Sequence, residues 1–171
     1  MWLWRRASVV LSWMILLGLL VGCGSHMGGT PTPTPVGWGL PDEEAIRAVL
    51  DAEARGVAEK NVDLLMQLWA EDGEVRDARH TPDLPQDDAV WRGRDAIYQR
   101  YVHLVFPGNP QYVAHTDLVI TIQGDHAVVT STTHIGGEVS QAGDRWELVK
   151  REGRWLLYRL TYNLEPAPQG D

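Results

Sequence analysis

Residues 112–135, YVAHTDLVITIQGDHAVVTSTTHI, decide how the chain folds. Strand side chains alternate between two faces, so the apolar and β-branched residues spaced through 112–123 and 126–135 predict two strands. Gly124-Asp125 between them reads as a two-residue hairpin turn. With that turn fixed, Gln123 faces His126, His115 faces His134 and Asp117 faces Thr132. The face with Ala114, Leu118, Ile120, Ile122, Val129 and Ile135 is the more apolar and is expected on the core, which leaves both histidines on the polar face. A β-bulge would bring the histidines round and break that pairing. Opposed side chains on one face lie roughly 5 Å apart at Cβ, room for one water or one substrate oxygen.

Toward the C-terminus a second hairpin runs from about Arg145 to Lys150, turns at Glu152-Gly153 and returns from Trp155 to Tyr162. Trp146, Leu148, Trp155 and Leu157 share one face; Glu147, Val149, Leu156, Tyr158 and Leu160 share the other, with Tyr158 opposite Glu147. Toward the N-terminus the period changes to that of helices. Pro41-Asp42-Glu43-Glu44 reads as a capped start, with acids at the positive end of the dipole, and Ile46, Val49, Leu50 and Val57 form the apolar stripe. Glu53 interrupts that stripe, where a charge is costly unless paired; a salt bridge to Arg47, Arg145 or Arg159 is expected. Asn61 caps a second helix carrying Val62, Leu65, Met66 and Trp69, and the chain breaks at Asp72-Gly73. A strand from Glu74 to Arg79 puts Val75 and Asp77 on one face. The loop with Pro82, Asp83, Pro85, Asp87 and Asp88 reads as solvated, or as a lid. Gly93-Arg94-Asp95 opens a third helix through about Val105, with Ile97, Tyr98, Tyr101, Val102, Leu104 and Val105 inward, stopped by the prolines at 107 and 110. Helices first and antiparallel strands afterwards mean α+β, with the helices on one face of a bent sheet.

The first 22 residues are a different polymer. Arg5-Arg6 precede an apolar run, Ala7 to Gly22, shorter than the ~20 residues that span a bilayer. The run ends in Leu20-Val21-Gly22-Cys23, which resembles a bacterial lipobox. That resemblance implies a signal peptide (1–22), acyl chains on Cys23 and an extracytoplasmic protein held on a membrane by a lipid anchor. Residues 23–39, rich in Gly, Thr and Pro, read as a tether; 40–165 form the folded domain and 166–171 a tail. The 171-residue chain has 15 Lys+Arg against 23 Asp+Glu, a net charge of -8. An acidic chain with no basic block argues against nucleic-acid binding. A single cysteine excludes an internal disulfide and a thiolate zinc cluster.

The pieces Lys60-Asn61-Val62-Asp63, residues 68–75 (LWAEDGEV), Gly93-Arg94-Asp95-Ala96-Ile97, Gly124-Asp125-His126-Ala127 and Gly153-Arg154-Trp155, in this order, resemble the SnoaL-like and ketosteroid-isomerase-like domains of the nuclear transport factor 2-like superfamily. The resemblance implies a cone-shaped fold, three N-terminal helices packed on a curved, mostly antiparallel sheet around a pocket. It also implies a small apolar ligand, no cofactor, and a possible homodimer. Against the ketosteroid isomerase pattern, Asp77 falls on the catalytic base, Glu53 on the oxyanion-stabilising tyrosine and Arg145 on the second donor. Because Glu53 and Arg145 depart from that pattern, steroid isomerisation is not expected. His115 and His134 resemble the opposed histidines of scytalone dehydratase. His115, His134 and Asp117 offer two imidazoles and a carboxylate, but the superfamily comparison implies no metal. Glu53, Trp69, Tyr101 and Tyr158 are expected to line the pocket. Fold alone does not decide function. The leading expectation is a tethered module that binds a small ligand; the alternatives are an acid-base isomerase, dehydratase or cyclase using Asp77, His115 and His134, and a dimerising interaction module.

Overall fold

The computed structural model describes residues 34–165, apart from the side chains of 141 and 142. The signal sequence, Cys23, most of the tether and the tail at 166–171 lie outside the described residues. Three helices, α1 (Asp42–Ala58), α2 (Val62–Leu68) and α3 (Arg94–Arg100), pack on a six-stranded sheet of β1 (Trp69–Asp77), β2 (Ala89–Arg92), β3 (Val113–Gln123), β4 (His126–Ile135), β5 (Glu138–Arg151) and β6 (Arg154–Tyr162). The spatial order is β2-β1-β6-β5-β4-β3. All neighbours are antiparallel except β1 and β6, which run parallel. This is the expected α+β class, with a mixed, mostly antiparallel open sheet.

The apolar stripe of α1 is buried as its period requires, with Ile46, Val49, Leu50 and Val57 against Trp69, Val75, Val129, Trp146, Leu148 and Leu157 from the sheet. No side chain caps α1 at Pro41; Asp42 instead accepts hydrogen bonds from Lys150 Nζ and Trp155 Nε1, tying the helix start to the β5–β6 hairpin. Asn61 caps α2 as expected, its side chain accepting the Leu64 amide at 3.1 Å. The end of the stretch read as tether is not extended: Val36 to Gly39 form a turn, and Val36 packs on the core.

Several expected boundaries shift. β1 begins at Trp69 and passes straight through Asp72-Gly73, where a break was expected. A Cβ on Gly73 would lie 2.9 Å from the Trp69 ring. The missing side chain lets the strand close over that ring, and the pairing with β6 shifts between Trp69 and Glu74. The short strand β2 was not expected; its four residues are too few for a periodic signal. β5 starts at Glu138 rather than about Arg145. The third helix widens and then tightens, α3 running into a π-helical turn at Tyr101–Val105 and a 3-10 turn at Phe106–Gly108. That change of pitch leaves Leu104 59% exposed; Tyr98, on regular α3, is exposed as well, and both were expected inward.

The first hairpin keeps its turn and loses its expected register. Gln123 faces His126 and Val119 faces Thr130, but beyond Asp117 the pairing slips, so that His115 faces Thr133 and Ala114 faces His134. Asp117 is the extra residue of a β-bulge, with φ of 52°, a left-handed conformation that aspartate tolerates better than β-branched residues do. The bulge turns Val113 and His115 onto the face that Leu118 and Ile120 occupy, and sends Ala114 outward. A second irregularity in the β5–β6 pairing sets Glu147 opposite Arg159 instead of Tyr158, and Trp146 opposite Leu160. Leu160 therefore joins the core.

Candidate functional site

A cavity of about 840 Å³ opens between the helices and the inner face of the sheet. Glu53, Tyr101, His115, Thr133, Asp144 and Trp146 lie on its wall, and Val57, Val105, Val113, Ile135 and Leu160 supply apolar surface. The bulge decides that His115 belongs to this wall, since regular alternation would have placed it outside.

Five residues from separate elements meet in one hydrogen-bonded chain. Trp69 Nε1 donates to Tyr101 Oη at 3.1 Å, Tyr101 Oη donates to Glu53 Oε1 at 2.7 Å, and Glu53 Oε2 lies 2.9 Å from His115 Nε2. His115 Nδ1 then meets Thr133 Oγ1 at 2.9 Å. Glu53 is 4% exposed and the His115 side chain 3%. The expected salt bridge to an arginine is replaced by this pair. Arg47 instead binds Glu43, while Arg145 and Arg159 bind Glu147. An unpartnered buried carboxylate would be expensive; here both oxygens are engaged.

The chain fixes proton positions. Trp69 can only donate, so the Tyr101 hydroxyl accepts from it and points its own proton at Glu53. Burial, reinforced by the charge of Glu53, holds the Tyr101 phenol well above its ordinary titration range, so it stays a donor. When Glu53 carries its charge, His115 Nε2 must donate to it; the neutral ring is then left with Nδ1 as its basic nitrogen, facing Thr133. The imidazole meets the Trp146 ring edge-on at 4.9 Å between centroids, which fixes its plane.

Asp144, 5% exposed, is a second carboxylate on the wall. Ser140 Oγ donates to its Oδ1 at 3.1 Å. Burial raises its pKa above the ordinary aspartate value; contacts with Thr133 and Ser140 and the nearby His115 offset this only partly. The sequence reading missed Asp144 because it follows Gly143 and reads as turn chemistry just ahead of the expected strand. A carboxyl that holds its proton longer when folded than when unfolded makes the native state bind more protons, so stability falls as pH rises from the unfolded value through the folded one. Asp144→Asn is expected to flatten this. In urea titrations, its stability relative to the parent should rise with pH across the window that opens near the ordinary aspartate value of 3.8. A difference independent of pH would refute the buried, proton-retaining carboxyl.

The remaining expected site residues are dispersed. Asp77 sits at the end of β1, accepting from the Arg79 amide at 2.8 Å and from Asn163 Nδ2 at 2.7 Å, and it is not on the cavity wall. No arginine side chain among the described residues pairs with it, since Arg76 binds Glu74 and Asp88. His134 lies on the outer face, where its Nε2 is 3.4 Å from Thr116 Oγ1, so the opposed histidine pair does not form. Asp117 is exposed and does not converge with either histidine. Trp69 is fully buried behind Tyr101 and is not on the cavity wall. Tyr158 packs on the outer face against Ala70, Val149 and Leu156, beneath Arg151 and Arg159. The loop at 78–88 reaches the cavity only through His80.

The sequence profile of the SnoaL-like domain matches residues 38–161. No curated protein matches the chain by sequence. Among solved structures the chain is similar to an NTF2-like protein with a cystatin-like fold from Novosphingobium aromaticivorans, at 18% identity and a TM-score of 0.57 over 76% of this chain and 84% of that one. It is similar to an NTF2-like protein from Pseudomonas putida, at 15% identity and a TM-score of 0.57 over 75% of this chain and 87% of the other. A third likeness is a protein of the NTF2-like family from Streptomyces avermitilis, at 20% identity and a TM-score of 0.52 over 74% and 96% of the two chains. At these identities the likeness is one of fold.

Proposed function

This chain belongs to the SnoaL-like domain family, and on that premise we propose that its domain is an acid-base enzyme, a lyase or isomerase acting on a small, largely apolar molecule held in the cavity. The observation that carries the reading is the buried Glu53–His115 pair at 2.9 Å on the cavity wall. Glu53 orients the imidazole and stabilises the imidazolium that forms when Nδ1 takes a proton. The substrate displaces the Thr133 hydroxyl from Nδ1. A C–H bond next to a carbonyl breaks, its proton passes to Nδ1 and its electron pair forms the new double bond. Asp144, whose pKa burial raises, returns one to the carbonyl oxygen or to a departing hydroxyl. The base expected in Asp77 is thus His115, and the second histidine is replaced by a carboxyl.

The lipobox-like Leu20-Val21-Gly22-Cys23 supports an extracytoplasmic protein anchored through Cys23. One observation favours a pure binding module instead: Thr133 already occupies the basic nitrogen, so the network is satisfied without a substrate. Solvent-deuterium exchange into a panel of small ketones decides between the two. Exchange by the parent that disappears in His115→Gln supports the enzyme; ligand retention with no exchange supports the binder and removes the enzyme.

A further inference from the structure

Arg100 closes α3 and forms part of the cavity wall, yet the proton-transfer chain does not use it. Its guanidinium lies 4.8 Å from the ring centroid of Tyr162, 5.3 Å from that of Trp91 and 5.8 Å from that of Tyr101. Its Nε is buried and has no hydrogen-bond partner. No carboxylate lies within 4.0 Å of it among the described residues. Asp77, beside Tyr162 on β6, accepts from the Arg79 amide and from Asn163 through one oxygen, and its charge meets Arg100 only across the Tyr162 hydroxyl.

A guanidinium keeps its charge at every pH the protein meets, and holding one largely out of water without an anion is costly. The aromatic rings recover part of that cost through its face. They leave its N–H edge, which the Tyr162 hydroxyl meets in part and whose remainder suits a planar two-oxygen acceptor. Elsewhere in the fold the arginines of the outer sheet face are matched by acids, Arg76 by Asp88 and Glu74, Arg92 by Glu74, Arg159 by Glu147. Arg100 has no such acid, and it lies on the wall of the cavity.

We propose that Arg100, set between Trp91 and Tyr162, is the carboxylate-binding subsite of this cavity, and that the substrate is a carboxylic acid with an apolar body whose reacting carbon lies at His115. This rests on the reading of the cavity as a small-molecule site with His115 as its base. The carboxylate binds and orients while remaining chemically unchanged; the apolar walls strengthen its attraction to Arg100 by excluding water.

Two probes of matched shape test it, 1-naphthaleneacetate and the uncharged 1-naphthaleneacetamide, titrated into the full chain by calorimetry with NMR detection of the Arg100 Nε–H and the His115 ring. The acid is expected to bind about tenfold or more tighter than the amide, as hydrogen bonds to a charged group allow, and to shift the Arg100 signal. In Arg100→Met the preference should vanish while amide affinity is kept, and Arg100→Lys should restore only part of it. The comparison within the parent protein needs no variant to fold. Equal affinity for the two probes would overturn the subsite and leave the cavity reading standing. Binding of neither, with His115 unmoved, would overturn both.

Discussion

Glu53→Gln is expected to leave the fold standing and to slow proton transfer by about 10³–10⁴-fold, the scale seen when an orienting carboxylate is exchanged for an amide. The amide carbonyl still accepts from Tyr101, so one of the two bonds survives. The amide nitrogen now faces His115 Nε2 and can only donate, so the imidazole must move its proton to Nδ1. The basic nitrogen is then the one buried against Glu53's replacement, and the nitrogen that served the cavity is occupied. Long-range nitrogen–proton NMR reads the tautomer directly: the parent should carry its proton on Nε2 and the variant on Nδ1. The same tautomer in both proteins would sink the argument, whatever the activity did. Glu53→Leu separates orientation from stability. It leaves the Tyr101 hydroxyl and His115 Nε2 buried without an acceptor, at a cost of about 2–4 kcal/mol in urea denaturation.

Trp69→Ala is expected to cost about 3–5 kcal/mol, the range for emptying a fully buried aromatic position. Trp69 has no exposed surface, and β1 closes over its ring at Gly73, so the strand above it has no ready way to collapse into the void. Trp69→Phe should recover most of that loss, because it restores ring volume and removes only the Nε1 donor to Tyr101. The two variants therefore diverge in stability while sharing one local change, a Tyr101 hydroxyl with no donor behind it. A similar loss for both, measured by urea unfolding, would mean that the hydrogen bond rather than the packing carries the position.

Much of this fold is legible in the residues. The stripe Ile46, Val49, Leu50 and Val57, the Asn61 cap and the Gly124-Asp125 turn are local signals, and each acts in the structure as its chemistry requires. Glu53 was conspicuous for the same reason, a charge where the helix period demands an apolar residue. Its partners were not legible, because Tyr101 and His115 reach it from other elements through tertiary packing. The register beyond Asp117 failed for a narrower reason. A bulge is one residue's backbone choice, and its only trace in the sequence is an aspartate set among β-branched residues. That one choice moved His115 from the outer face to the cavity, and left His134 where the alternation put it. Leu160 was moved to the core in the same way by the irregularity between β5 and β6, while Tyr158 kept its face with Val149 and Leu156.

The parallel pairing of β1 with β6 also sets an order of assembly. β1 joins β2 through a local connection, and β3 to β6 zip together as successive hairpins, but the two halves meet only when the last strand of the domain is present. A chain emerging N-terminus first holds the open edge of β1, with Trp69 beside it, until almost all of the domain has been made. Long-range closure of this kind is slow relative to hairpin formation and exposes a pairing edge meanwhile. Truncation ahead of Arg154 should thus yield an aggregating chain rather than a smaller folded one, since the residues that would be lost are those that cover β1.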